Sequence, residues 1–251
     1  ALLGHAAGFI DPLYSKGLYA THMSIMVLAD LLLKAHQTGD YSAKAFDPLE
    51  KITLNYIKMH DRHTANSIKS WSYNYKLWRA YSTHWLLGAY LEYLKLSITR
   101  MRAKDRAEYI ELLKNNRMIG GGFQEYISIQ EKIDTLMEQV NAEDDADVDR
   151  TVAEVTALFD SFAWTPKPFR DVLNGKNHLP KRKFRLTLFN KQDGFMGSGT
   201  YRQHFFGDMS LLDVIYKGAI DIFEYSKLTL NFKRRSQNRL AWQKTPFSPR
   251  E

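Results

Sequence analysis

The chain of 251 residues predicts a mainly α-helical fold, and three observations carry that expectation. Apolar residues recur at helical spacing over most of residues 18–160. The breaks between those stretches have helix-stop or helix-start chemistry, as in Thr38-Gly39-Asp40 and Asp47-Pro48. Strand-like alternation is confined to residues 184–189.

The elements follow in order. A short apolar and glycine-rich opening runs through Asp11-Pro12 into a helix that begins near Ser15. Residues 18–34 are apolar or small on most sides, which predicts a helix packed within its domain rather than on its surface. Thr38-Gly39-Asp40 ends it and marks an expected boundary between domains 1–39 and 40–251. Asp47-Pro48 predicts the next helix start, with Asp as cap and Pro at the first helical position. Leu49, Ile52, Tyr56 and Met59 then recur at helical spacing. A long helix is expected over residues 68–100, followed by a charged amphipathic one over 101–115 and a glycine hinge at 120–122. Residues 123–140 form another, with Ile127, Ile129, Ile133 and Leu136 facing inward. The acidic residues between 105 and 138 read as solvated faces. Residues 143–147 are almost all acidic and suit the positive start of a helix running to Phe162. Beyond Pro166 and Pro168 the pattern weakens: residues 191–200 read as loop, and 208–225 as helix through Leu211, Leu212, Ile215, Ile220 and Phe223. The tail after Lys233 is basic and irregular.

Composition excludes several classes. Hydrophobic residues make up 44% of the chain and aromatics 13%, too much for wholesale disorder. There are no cysteines, so disulfide scaffolds and thiol chemistry are out, and a cytoplasmic protein is expected. The most apolar stretch, residues 25–33, is interrupted by Asp30 and falls short of the roughly 20 residues a spanning helix needs. No Gly-x-Ser-x-Gly elbow supports hydrolase chemistry. No complete Gly-x-Gly-x-x-Gly fingerprint is present: Glu125 stands where Gly120-Gly121-Gly122 would need its last glycine, and Arg202 does so after Gly197-Ser198-Gly199. Residues 160–251 carry 17 Lys and Arg against 8 Asp and Glu. Two runs there, Lys181-Arg182-Lys183-Phe184-Arg185 and Phe232-Lys233-Arg234-Arg235, suit solvated loops, an acidic partner or phosphates; nucleic acid is the least expected partner.

Two regions carry chemistry. Residues 4–18 combine small residues, which let backbone approach a ligand, with a following helix start whose free N–H groups carry about half a positive charge. That pairing suits a bulky ligand with phosphates or a delocalised anion. Farther on, Trp71, Trp78 and Trp85 recur every seven residues with Tyr75 and Tyr81 between them, one stripe along a helix. Such a stripe is either core packing or the wall of an aromatic pocket. His60 and His63 lack a third ligand, so they read as surface or capping residues and no metal is expected. His22 and Asp30 read as buried, satisfied polar groups on the first helix, with a proton-handling role open to His22.

Residues 4–18 resemble the second flavin-binding motif of FAD-dependent halogenases and related monooxygenase-type oxidoreductases. That motif reads roughly Gly-Asp-Ala-Ala-Gly-Phe-(Ile/Val)-Asp-Pro-Leu-Phe-Ser-(Ser/Thr)-Gly. Tyr75-Lys76-Leu77-Trp78-Arg79-Ala80-Tyr81, with Trp85 beyond, is similar to a Leu-Trp-x-Ala-aromatic segment of the same family's helical C-terminal region. The resemblance implies the last strand and helix of an FAD-binding α/β domain, followed by a helical, substrate-side domain. It implies FAD as cofactor, with Gly4, His5, Ala6, Ala7 and Gly8 along it, and Asp11 and Pro12 under the ring. Lys16 and Gly17 would offer halide-binding amides. Tyr14, Trp71, Tyr75, Trp78 and Trp85 would face a small aromatic or apolar substrate. The chemistry implied is halogenation or hydroxylation driven by reduced flavin and oxygen. A flavin reductase and the N-terminal half of the same protein are the implied partners. Three positions depart from the motif: His5 replaces Asp, Lys16 replaces Ser or Thr, and Tyr14 stands where Phe or Glu is usual. The alternative reading is a non-catalytic helical module whose basic C-terminal third binds nucleic acid or an acidic protein.

Overall fold

The computed structural model describes residue 8 and residues 16–104, 106–114, 119–175, 199–220, 222, 223 and 226. Among the described residues every regular element is helical. In chain order these are α1 (Lys16–Thr38), α2 (Ala43–Tyr73), α3 (Tyr75–Arg102) and α4 (Arg106–Lys114), then a 3-10 turn (Ile119–Gly122). After it come α5 (Gln124–Gln139), α6 (Asp145–Asp160), α7 (Lys167–Leu173) and α8 (Gly199–Phe205). These lie in one compact unit ending at Gly207; a second unit spans Asp208–Glu251.

Local chemistry sets the boundaries. Asp40 Oδ1 accepts from the Ser42 N–H at 2.9 Å, and Ser42 caps α2 by accepting from the Ala45 N–H at 3.4 Å. The helix therefore starts about a turn before Asp47-Pro48, and Pro48 lies inside it without a hydrogen bond to the carbonyl four residues back. The expected continuous helix over 68–100 is broken at Asn74, whose backbone is extended (φ −153°, ψ 123°). Its N–H donates to the Ser70 carbonyl at 3.2 Å while its side chain accepts from the Lys76 N–H at 2.9 Å. One residue thus closes α2 and opens α3, and it divides the tryptophan stripe: Trp71 is on α2, Trp78 and Trp85 on α3. Asp144 caps α6 through the Ala146 N–H at 3.0 Å, as the acidic break predicts.

The glycine hinge is a clamp. Gly120 and Gly121 have φ of 73° and 59°, and a Cβ on Gly120 would stand 2.1 Å from Tyr126 Cδ1. On Gly121 it would stand 2.9 Å from the Leu91 carbonyl, so the turn lies directly on α3. Gly88 of α3 is equally close to Tyr126, its notional Cβ 2.1 Å from the hydroxyl.

Two interiors result. In the first, Ala20, Met23, Val27 and Leu31 of α1 pack on Leu49, Ile52 and Tyr56 of α2 and Leu113 of α4. The opposite side of α1, with Leu18, Ile25, Leu32 and Leu33, is exposed, so the helix is not enclosed on all sides by the described residues. Residues 17–38 are long and apolar enough to cross a membrane by length and composition alone; the buried Met23–Val27–Leu31 face is what a core helix also shows. In the second interior, α3 is flanked by α2, α5, α6 and the glycine turn, and the buried side chains include many polar ones. Leu136, expected inward, is half-buried, while Met137 takes the buried position.

In the second unit residues 211–220 are helical. Ser210 and Asp213 cap them reciprocally: the Asp213 N–H donates to Ser210 Oγ at 3.1 Å and the Ser210 N–H to Asp213 Oδ2 at 2.8 Å. The start is therefore later than residue 208, and Leu212, Ile215, Ile220 and Phe223 are exposed. The strand expected at 184–189 and both basic runs lie outside the described residues. Of residues 191–200, expected as loop, Gly199 and Thr200 open α8.

Candidate functional site

Of the residues expected along a cofactor or halide, the structure describes Gly8, Gly17 and the backbone of Lys16; Gly4, His5, Ala6, Ala7, Asp11, Pro12 and Tyr14 lie outside the described residues. Lys16 and Gly17 are the first two described residues of α1. Gly17 is buried, and the first turn of α1 contains no acidic residue to offset the dipole. Gly8 has a packing reason of its own, because a Cβ there would stand 2.5 Å from Ile57 Cδ1 on α2. Gly8 is thus fitted closely against α2.

A turn into α1, Tyr19 packs at 5.8 Å from Tyr56, whose ring stacks on His60 at 4.9 Å. Burial and the nearby carboxylate of buried Glu92 push both phenols well above the usual tyrosine range. His60 and His63 are both buried, not on the surface, because they continue the inward face of α2. His22, expected buried, is exposed, and Asp30 is half-buried.

The polar interior lies between α2, α3 and α5. Tyr81 Oη donates to Asp134 Oδ1 at 2.7 Å and stands 3.0 Å from His63 Nδ1. Asn66 Nδ2 also donates to Asp134 Oδ1, at 3.1 Å. Arg62 lies 4.0 Å from Asp134 Oδ2 and donates to Glu138 at 2.7 Å. Burial raises the Asp134 carboxyl above the usual range; the bonds from Tyr81 and Asn66 and the Arg62 charge pull the other way. Next along α3, His84 stacks on Tyr126 with ring centres 5.3 Å apart, and Tyr126 Oη lies 3.0 Å from its Nε2 and 3.2 Å from its carbonyl. With no charged partner to offset burial, the His84 imidazole is pushed down to about 3 and is neutral.

Asp134, expected on a solvated face, is instead buried, because it faces Tyr81 and Asn66 of the neighbouring helices, and Glu92 is buried as well. A signal for the polar interior was present in α2: Leu49, Ile52, Tyr56, His60, His63, Ser67 and Ser70 follow one helical spacing, so the inward face continues after its apolar character stops. Of the aromatic stripe, Trp71 (64% exposed) and Tyr75 (75%) flank the break and face solvent, Trp78 and Trp85 are half-buried, and Tyr81 is wholly buried. Trp85 stacks on His63 with ring centres 6.2 Å apart. Among the described residues no group of three His, Asp or Glu side chains could hold a metal ion.

No protein-family model matches the chain. It is 29% identical over 165 residues to monodechloroaminopyrrolnitrin halogenase PrnC of Pseudomonas fluorescens, a match covering 63% of this chain and 29% of that protein. With tetracycline 7-halogenase of Kitasatospora aureofaciens the identity is 29% over 117 residues, 46% of this chain and 21% of that one. The fold is similar to crystal structures of halogenase PltM, with a TM-score of 0.61 at 26% identity over 68% of this chain and 37% of PltM. A PltM variant in complex with FAD gives 0.60 at 26% identity, covering 68% and 36%. A PltM complex with phloroglucinol and FAD gives 0.56 at 28% identity, covering 63% and 33%. The chain spans about a third of these proteins or less, and its homologues are flavin-dependent halogenases.

Proposed function

We propose that this chain is the flavin-contacting turn and helical substrate-side part of an FAD-dependent, halogenase-like oxidoreductase. The observation that carries the reading is the sequence from Gly4 to Gly17 leading into α1, where Gly17 is buried. PltM with FAD bound, and the halogenases PrnC and tetracycline 7-halogenase, support the cofactor and the reaction class. In this reading residues 1–39 complete an FAD-binding domain and residues 40–251 form the substrate side. When bound, FAD reduced by a separate reductase supplies, with oxygen, the oxidising power for halide or substrate.

The chain's own residues then bind and orient. The amides of Lys16 and Gly17 hold an anion, either halide or the negative edge of the flavin, where the α1 dipole favours it. Gly4, His5, Ala6, Ala7 and Gly8 leave room for the cofactor backbone; His5 offers an imidazole N–H in place of a carboxylate. Asp11 and Pro12 support the ring. Tyr14 with Trp71, Tyr75, Trp78 and Trp85 would present aromatic surface to a small aromatic substrate, the class to which the phloroglucinol bound to PltM belongs.

The test is turnover by the intact protein with reduced FAD, oxygen, bromide and a phenol, read by product mass. A halide-dependent product with the bromine isotope pair supports halogenation. A product heavier by one oxygen and indifferent to halide replaces it with hydroxylation. No flavin-dependent product with any phenol or indole tested overturns the enzyme reading.

A further inference from the structure

We propose that Asp134, Tyr81 and His63 form a positioning chain that fixes the plane of the Trp85 ring. The idea rests on the reading of Trp85 as a pocket wall, and its physical basis is independent of the flavin. Tyr81 has one hydroxyl proton. At 2.7 Å that proton goes to Asp134 Oδ1, so the 3.0 Å contact requires His63 Nδ1 to carry hydrogen and donate to Tyr81 Oη. The chain of donors therefore selects one histidine tautomer and one ring orientation. The His63 ring lies 26° from the Tyr81 plane at 5.0 Å and 25° from the Trp85 plane at 6.2 Å. Rings held in this way prefer offset stacking, so a fixed imidazole fixes the indole beside it.

The anchor is three-sided. Asn66 donates a second hydrogen bond to the same carboxylate oxygen, and Arg62 approaches the other oxygen while bound to Glu138. Tyr81, His63 and Asp134 are all buried, whereas Trp85 is half-buried and keeps part of its ring open. Apolar side chains of the same shape would hold three helices together without the cost of desolvating a carboxylate and an imidazole. What the polar set adds is direction: one register for His63 and hence one plane for Trp85.

The experiment uses the full chain. The near-UV circular dichroism of Trp85 is obtained by difference from Trp85→Phe, in the wild-type background and in Tyr81→Phe and Asp134→Asn, with far-UV signal and Tm followed alongside. The expected result is loss of at least half of the Trp85 near-UV band in both variants while the far-UV helix signal is kept. A Trp85 band of wild-type size in Tyr81→Phe overturns the proposal. Nitrogen NMR of His63 in the wild-type protein needs no variant to fold: an Nδ1–H tautomer is expected, and an Nε2–H tautomer overturns the proposal. Binding of phenol to the intact protein separates the two readings. A roughly tenfold weaker Kd in Tyr81→Phe with unchanged FAD affinity supports both. If the wild-type protein binds no phenol but the Trp85 band responds, the pocket reading fails and the positioning chain stands.

Discussion

The two halves of α2 sit in different solvents. Its first half puts Leu49, Ile52 and Tyr56 against the apolar face of α1, while its second puts His60, His63, Asn66, Ser67 and Ser70 into the interior beside α3 and α5. The first contact is non-directional: it stabilises in proportion to area buried and tolerates any well-shaped hydrocarbon. The second is directional, since each buried donor or acceptor needs a partner at hydrogen-bond distance and costs free energy without one. One helix thus changes from adhesive to positioning element within its length. That polar half lies beside Trp85, whose ring stacks on His63.

The contrast is broken most severely at the clamp on the polar side. Gly120→Ala combines a left-handed backbone with a Cβ 2.1 Å from Tyr126, so a loss on the order of 3–5 kcal/mol is expected in urea unfolding. An alanine accepted at no cost would mean that the turn does not press on Tyr126. On the apolar side Leu31→Ala should cost about 2–5 kcal/mol without altering the pH dependence of stability. A changed pH profile in that variant would mean that the two interiors are coupled.

The polar side should also reveal itself through protons. His84 is held neutral by burial, with its pKa near 3 against 6.5 in the unfolded chain. Between those values the unfolded state binds a proton that the native state refuses. Stability from this residue is therefore complete above about pH 6.5 and declines as pH falls toward 3, by an amount on the order of a few kcal/mol. His84→Gln should flatten that slope in melts taken across the window. An unchanged slope would assign the acid sensitivity to other groups. Smallest of all is the surface: Lys76 and Asp149 pair at 2.6 Å but are both exposed, and Lys76→Ala should leave Tm unchanged within error, since solvent screens such pairs.

How much of this could be read in advance follows from range. Helices α1, α4, α5 and α6, the acidic start of α6 and the glycine hinge were legible because capping and periodicity are local. The Asn74 break was not, because seven-residue tryptophan spacing continues across it and a single extended residue leaves little trace in the pattern. The inward turn of His60 and His63 was legible only by following spacing past the point where apolar residues stop. Asp134 was not legible: its partners, Tyr81 and Asn66, are 53 and 68 residues away. Between residues 4 and 17 the halogenase-like motif was readable in the sequence, whereas the packing of Gly8 on Ile57 needed the fold.

The most direct test is hydrogen exchange of the intact protein with and without FAD, followed by mass spectrometry of peptides covering residues 4–17. With FAD lying along residues 4–17 and the start of α1, the account predicts marked protection of this segment by FAD, with α5 and α6 little changed. FAD binding that leaves residues 4–17 exchanging as before would contradict it.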